Sequence, residues 1–174
     1  MEKLPVRKNI RLRHYNYSQD GYYFVTICCS NFQPNLARHK ETAEGILCSL
    51  PKRFSDLKID YYILMPDHIH IIFVFENAGV GFIQNCRGGI YDTRNNGLDK
   101  SSPYKKPVSL GEVVRTYKAL VTKETKVKNF WQRNYYEHVI RSEDALSKIR
   151  EYIQNNPDAL KIRFEEFYKL ADRA

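Results

Sequence analysis

Tyr61-Tyr62-Ile63-Leu64-Met65-Pro66-Asp67-His68-Ile69-His70-Ile71-Ile72-Phe73-Val74-Phe75 is the stretch from which the rest of the chain can be read. Aromatic and aliphatic residues run up to Met-Pro-Asp and resume at once beyond it. The pattern predicts two strands, Asp60–Met65 and His68–Phe75, hinged at Pro66-Asp67. Two of the chain's five histidines open the second strand. Side chains alternate between the faces of a strand, so His68 and His70 project from one side, about 7 Å apart along the backbone, while Ile69 points the other way. Two imidazoles so spaced can grip one cation. A histidine in an apolar strand is ordinarily a hydrogen-bonded core residue. Two titratable rings on one buried face, however, cost desolvation free energy unless something satisfies both, and a metal ion would do so.

Upstream of this stretch, Gly21 breaks the chain before Tyr22-Tyr23-Phe24-Val25-Thr26-Ile27-Cys28, whose aromatic and β-branched content predicts a central first strand. Between Lys40 and Leu50, Ala43, Ile46, Leu47 and Leu50 recur at helical spacing, and Pro51 should end or kink that helix, with Phe54 extending its stripe. Strand, helix, strand, strand is the first half of a ferredoxin-like α/β (α+β) sandwich, an antiparallel sheet with helices on one face.

Residues 77–108 hold five of the eight glycines and no periodicity, and are expected to form a mobile loop. Ser109-Leu110-Gly111-Glu112 then has the form of a capping box, in which each side chain satisfies a free N–H at a helix start. Leu110, Val113, Val114, Tyr117, Leu120 and Val121 make the apolar face behind it, with Arg115, Lys118, Lys123 and Lys126 off that face as a cationic exterior. Trp131 to Arg141 alternates as an extended fourth strand. Ser142, followed by Glu143-Asp144, is suited to cap a helix running to Asn155 or Asn156, on which Ala145, Ile149, Tyr152 and Asn156 share one stripe. On residue type alone Tyr152 is a core or interface tyrosine, and Asn156, before Pro157, a helix cap. Leu160, Ile162, Phe164, Phe167 and Leu170 suggest a helical extension over 158–174.

Three blocks in this order carry a family resemblance: Met65-Pro66-Asp67-His68-Ile69-His70; Trp131-Gln132-Arg133-Asn134-Tyr135-Tyr136-Glu137-His138-Val139-Ile140-Arg141; and Ile149-Arg150-Glu151-Tyr152-Ile153-Gln154-Asn155-Asn156-Pro157. Together they resemble the HUH-type single-tyrosine transposases, in particular the REP-associated tyrosine transposases, over Arg11 to about Pro157. The resemblance implies a nucleophilic Tyr152 on a C-terminal catalytic helix, and a divalent metal, Mg²⁺ or Mn²⁺, held by His68, His70 and Asn156, with Asn155 as the other candidate ligand. It implies cutting and rejoining of single-stranded DNA at hairpin-forming repeats through a 5′-phosphotyrosine intermediate. Asp67 departs from the asparagine more usual there, adding a carboxylate near the cation. A non-catalytic hairpin-binding protein or repressor on the same scaffold is the alternative.

Composition agrees with a polyanionic partner. Twenty-eight Lys and Arg against 20 Asp and Glu give a net charge of +8 over 174 residues, which favours nucleic acid through counterion release. Arg11, Arg13 and Tyr15 interleave cations and rings near the N-terminus. With Arg115, Lys118, Lys123 and Arg133 they are the candidate DNA contacts. One domain is the natural count for this length, acting as monomer or homodimer. No apolar run of about 18 residues exists, and Met-Glu-Lys-Leu-Pro lacks the apolar centre of a secretion signal. A cytoplasmic, nucleoid-associated protein with no membrane contact is expected. The four cysteines match neither a disulfide framework nor a zinc pattern, and are read as reduced.

Overall fold

Gly21–Cys28 forms the first strand, β1, from the predicted run of aromatic and β-branched residues. One helical turn, α1 (Asn35–Arg38), leads into α2 (Lys40–Arg53), and the strands β2 (Leu57–Leu64) and β3 (His68–Phe75) follow. The chain continues through α3 (Leu110–Thr125), β4 (Tyr136–Ile140) and α4 (Glu143–Asn155). These elements come from a computed structural model that describes residues 15–76 and 108–155. The expected loop, apart from Val108, and the extension over 158–174 lie outside the described residues, as do Arg11, Arg13 and Asn156.

The sheet order is β2-β3-β1-β4 with every pairing antiparallel, which is the ferredoxin-like order expected from the sequence. β1 and β3 are central and covered on both sides, which is why β3 reads as an unbroken apolar run rather than an alternation. On one side Tyr23, Val25, Ile27, Ile69, Ile71 and Phe73 pack with Leu47 and Leu50 of α2 and Val113, Val114 and Tyr117 of α3. On the other, Phe24, Ile72 and Ile140 pack with Ala145, Leu146, Ile149 and Ile153 of α4. The C-terminal helix therefore lies alone, among the described elements, on the face opposite α2 and α3.

The boundaries of α2 and β2 differ from the sequence reading. Pro51 neither ends α2 nor prevents its last turn: the helix runs to Arg53, and Phe54 N–H closes it on Leu50 O at 3.0 Å. Burying Leu47 and Leu50, with Phe54 packed against the same core, outweighs the one helical N–H that proline lacks. β2 begins at Leu57 rather than Asp60, and its pairing with β3 slips between Ile59 and Tyr61. That bulge reverses the facing of the strand. Leu57 and Ile59 face α2 and α3, whereas Tyr61 and Ile63 face α4.

The turn carrying Met65-Pro66-Asp67 is pinned from three sides. Met65 N–H bonds His68 O at 2.9 Å, Cys29 N–H bonds Asp67 O at 2.7 Å, and the N–H groups of Leu36 and Ala37 reach Pro66 O at 3.1 and 3.2 Å. The single turn of α1, which the sequence did not signal, supplies the last two donors.

In the helix-side core the Tyr117 hydroxyl is buried with no hydrogen-bond partner among the described residues. An orphaned buried hydroxyl costs about 1–3 kcal/mol. Tyr117→Phe is therefore expected to melt at the wild-type temperature or a few degrees above it, at ~2–4 °C per kcal/mol for a chain of this size. A clear fall in melting temperature would show that the hydroxyl is satisfied after all.

Candidate active site

His68 and His70 stand at the start of β3, opposite Cys28 and Thr26 of β1, on the sheet face that α4 crosses. Both are buried, at 2% and 1% exposure, and their ring centroids are 4.7 Å apart at 72°. Each ring is fixed through Nδ1. Asp67 Oδ1 lies 2.8 Å from His68 Nδ1, and since a carboxylate oxygen accepts, Nδ1 is the donor in this bond. Thr26 Oγ1 lies 2.8 Å from His70 Nδ1, and Phe24 stacks on the His70 ring at 5.4 Å and 28°.

This is the arrangement in which ligating histidines are usually found, Nδ1 oriented by a second group and Nε2 offered to the metal. Imidazole nitrogen is a donor type that suits a divalent cation, which would need further ligands beside the two rings. Among the described residues no group of three or more His, Cys, Asp or Glu is disposed to hold a metal, so the imidazole pair would need Asn156, phosphate or water to complete a site. Thr26 was not singled out from the sequence. The signal was there: one hydroxyl in the otherwise apolar Phe24-Val25-Thr26-Ile27, at a strand position that antiparallel pairing sets beside His70.

α4 starts where Ser142 Oγ accepts the N–H of Ala145 at 3.2 Å, as the sequence predicts. Arg150 clamps it to β2 through a bidentate pair with Asp60, the Nε to Oδ2 arm measuring 2.8 Å. Asp60 occupies the bulge. Tyr152 is half-buried on the same helix, and Asn155 is exposed at its end. The buried stripe of α4 is Ala145, Leu146, Ile149 and Ile153, so Tyr152, expected in one stripe with Ala145 and Ile149, sits on the flank of the buried residues.

The expected DNA contacts fall into two groups. Arg115, Lys123 and Arg133 are exposed. Tyr15 is half-buried, with its ring 4.9 Å from Tyr17 and 6.4 Å from Tyr23 in an aromatic cluster. Lys118 departs from the reading of an exposed cationic face. Its Nζ donates to Gln132 O at 2.7 Å and Asn134 O at 2.8 Å, while its own carbonyl accepts the Trp131 indole N–H at 3.1 Å. Trp131 still bridges Cys29, but beyond it the Gln132 and Asn134 carbonyls turn to Lys118 rather than to β1, and only Tyr136–Ile140 of the predicted extended block is continuous strand. The segment before β4 shapes a pocket of about 260 Å³ lined by Cys28, Gln132, Arg133, Asn134, Tyr135 and Tyr136. Cys28 is the cross-strand neighbour of His68, and Tyr136 that of Thr26, so the pocket borders the histidines.

Burial pulls the Lys118 ammonium down to about 8, against a smaller opposing pull from the Cys28 thiol. Because its folded value lies below that of the unfolded chain, the native state loses this proton first as the pH rises. Its contribution to stability therefore grows from about pH 8 toward the unfolded value near 10.5. Lys118→Met removes both bonds to the carbonyls and is expected to cost about 1–3 kcal/mol in urea unfolding near neutral pH. The wild type should gain on this variant between pH 7 and 10. A gap that narrows over that range would contradict the assignment.

No protein-family model matches the chain. Comparison with solved structures finds a REP-associated tyrosine transposase, determined bound to a REP hairpin, at a TM-score of 0.60 and 19% identity over 85% of this chain and 72% of that one. The protein thus has the fold of the REP-associated tyrosine transposases. An uncharacterised protein of Haemophilus influenzae is 34% identical over 168 residues, 87% of this chain and 88% of its own. The chain belongs to that protein's family. No helix among the described residues is long and apolar enough to cross a membrane.

Proposed function

We propose that this protein is a REP-associated tyrosine transposase in activity as well as fold, a metal-dependent enzyme that cuts and rejoins single-stranded DNA at hairpin-forming repeats. The observation that carries the reading is that one sheet face bears both the paired histidines and the helix of Tyr152. Successive residues of an α-helix are about 100° apart, so Tyr152 lies about 200° around α4 from Arg150. Arg150 is tied to Asp60, beyond Ile72 toward the Phe75 end of the sheet. This supports turning the opposite flank of α4, with Tyr152, toward the end that holds His68 and His70.

His68 and His70, with Asn156, would hold the divalent cation, which when bound offsets negative charge on the scissile phosphate. Tyr152 Oη loses its proton and attacks phosphorus in line. A bond forms between that oxygen and phosphorus while the bond to the 3′ oxygen breaks, and the departing oxygen takes a proton to become a 3′-hydroxyl. The linkage is a phosphodiester like the one it replaces, so a later 3′-hydroxyl can reverse the step without ATP. Arg115, Lys123 and Arg133 are available to the phosphate backbone. Tyr136, 42% exposed beside the pocket, offers a ring to an unpaired base.

The test is incubation with end-labelled hairpin DNA and Mn²⁺, followed by a denaturing gel. A covalent protein–DNA band that needs the metal is expected. Tight binding with no cleavage or adduct would leave the binding-only repressor as the function.

A further inference from the structure

We infer that Asp67 is a positioning residue that raises the affinity of the histidine pair for its cation from behind the His68 ring, without being a ligand itself. The inference rests on reading His68 and His70 as metal ligands. Asp67 Oδ1 is engaged with His68 Nδ1 at 2.8 Å, and the two nitrogens of an imidazole point to different sides of the ring. A carboxylate on Nδ1 is therefore not placed to share an ion held by Nε2. Consistent with this, no set of three His, Cys, Asp or Glu among the described residues forms a metal-binding group. A carboxylate behind the ring fixes its tautomer and makes Nε2 a stronger donor than an uncharged partner would.

The backbone around Asp67 is built to hold it there. Its carbonyl accepts Cys29 N–H at 2.7 Å, and the preceding carbonyl, Pro66 O, accepts two N–H groups of the α1 region. His70 provides the internal comparison, since its Nδ1 has the neutral Thr26 hydroxyl as partner. The two imidazoles are thus unequal donors, with His68 the stronger.

Asp67→Asn separates charge from geometry, because an amide oxygen can accept the same Nδ1–H bond without the negative charge. Mn²⁺ binding to the full chain without DNA, followed by electron paramagnetic resonance, is the measurement. Melting temperature without metal is recorded in parallel. Asp67→Asn is expected to melt like wild type and to bind Mn²⁺ about 10-fold more weakly, and Asp67→Ala up to about 100-fold more weakly. Equal or tighter Mn²⁺ binding by Asp67→Asn overturns the inference and leaves the histidine pair in place. Wild type that binds no Mn²⁺, or binding that survives His68→Ala, overturns the inference and the metal-site reading together.

Discussion

Tyr152→Phe is expected to bind hairpin DNA within about twofold of wild type and to form no covalent adduct with it. The side chain is half-buried on the flank of α4, and phenylalanine keeps the ring while removing only the oxygen. The helix is held independently by Ala145, Leu146, Ile149 and Ile153 against the sheet and by the Arg150–Asp60 pair, so the variant should fold normally. With no nucleophile, the adduct should fall below detection, a loss of on the order of 10³-fold or more. Tyr135→Phe and Tyr136→Phe should both keep the adduct. They line the pocket beside the histidines and are the rivals to exclude. An adduct that persists in Tyr152→Phe and disappears in either of those would move the nucleophile to Tyr135 or to Tyr136 at the start of β4.

The second large effect is expected from the histidines. His68→Gln and His70→Gln roughly preserve side-chain volume in sites exposed by 2% and 1%, and remove the imidazole Nε2 that would face a cation. Each should lower the rate of Mn²⁺-dependent cleavage by about 10²–10³-fold, the usual cost of deleting one preorganised group that stabilises developing charge. Hairpin affinity measured without metal should be little changed. The two variants need not be equal. Because Asp67 strengthens His68, removing that ring should weaken Mn²⁺ binding more than removing His70. Cleavage at the wild-type rate by either variant, in Mn²⁺ and with folding confirmed, would mean that the pair is a hydrogen-bonded core feature.

Much of this arrangement was legible because periodicity is a local signal. His68–Phe75 is strand over the whole predicted range, and its parity alone put the two imidazoles on one side. The capping residues Ser109 and Ser142 mark α3 and α4 for the same reason, each side-chain oxygen accepting an N–H three residues on. What escaped the sequence is non-local. The bulge at Asp60 reverses β2, and nothing in Leu57-Lys58-Ile59-Asp60-Tyr61 announces that the strand changes face midway. Lys118 looked like one more cation on a basic helix surface. Its commitment to Gln132 O and Asn134 O depends on a segment fourteen and more residues away folding back over α3. Thr26 and Asp67 gained their roles only once β1 and the β2–β3 turn were set beside the imidazoles. Asn156, Arg11 and Arg13 lie beyond the described residues; the assignment of Asn156 rests on the family resemblance, that of Arg11 and Arg13 on cations interleaved with rings near the N-terminus.

The most direct test of the central claim is to map the adduct itself. Wild-type protein is reacted with hairpin DNA and Mn²⁺, digested with nuclease and trypsin, and analysed by mass spectrometry for a peptide carrying a 5′-phosphonucleotide remnant. The account predicts the modification on the tryptic peptide spanning 151–161, whose one tyrosine is Tyr152. A remnant on the peptide that contains Tyr135 and Tyr136, or efficient cleavage with no modified tyrosine at all, would contradict it.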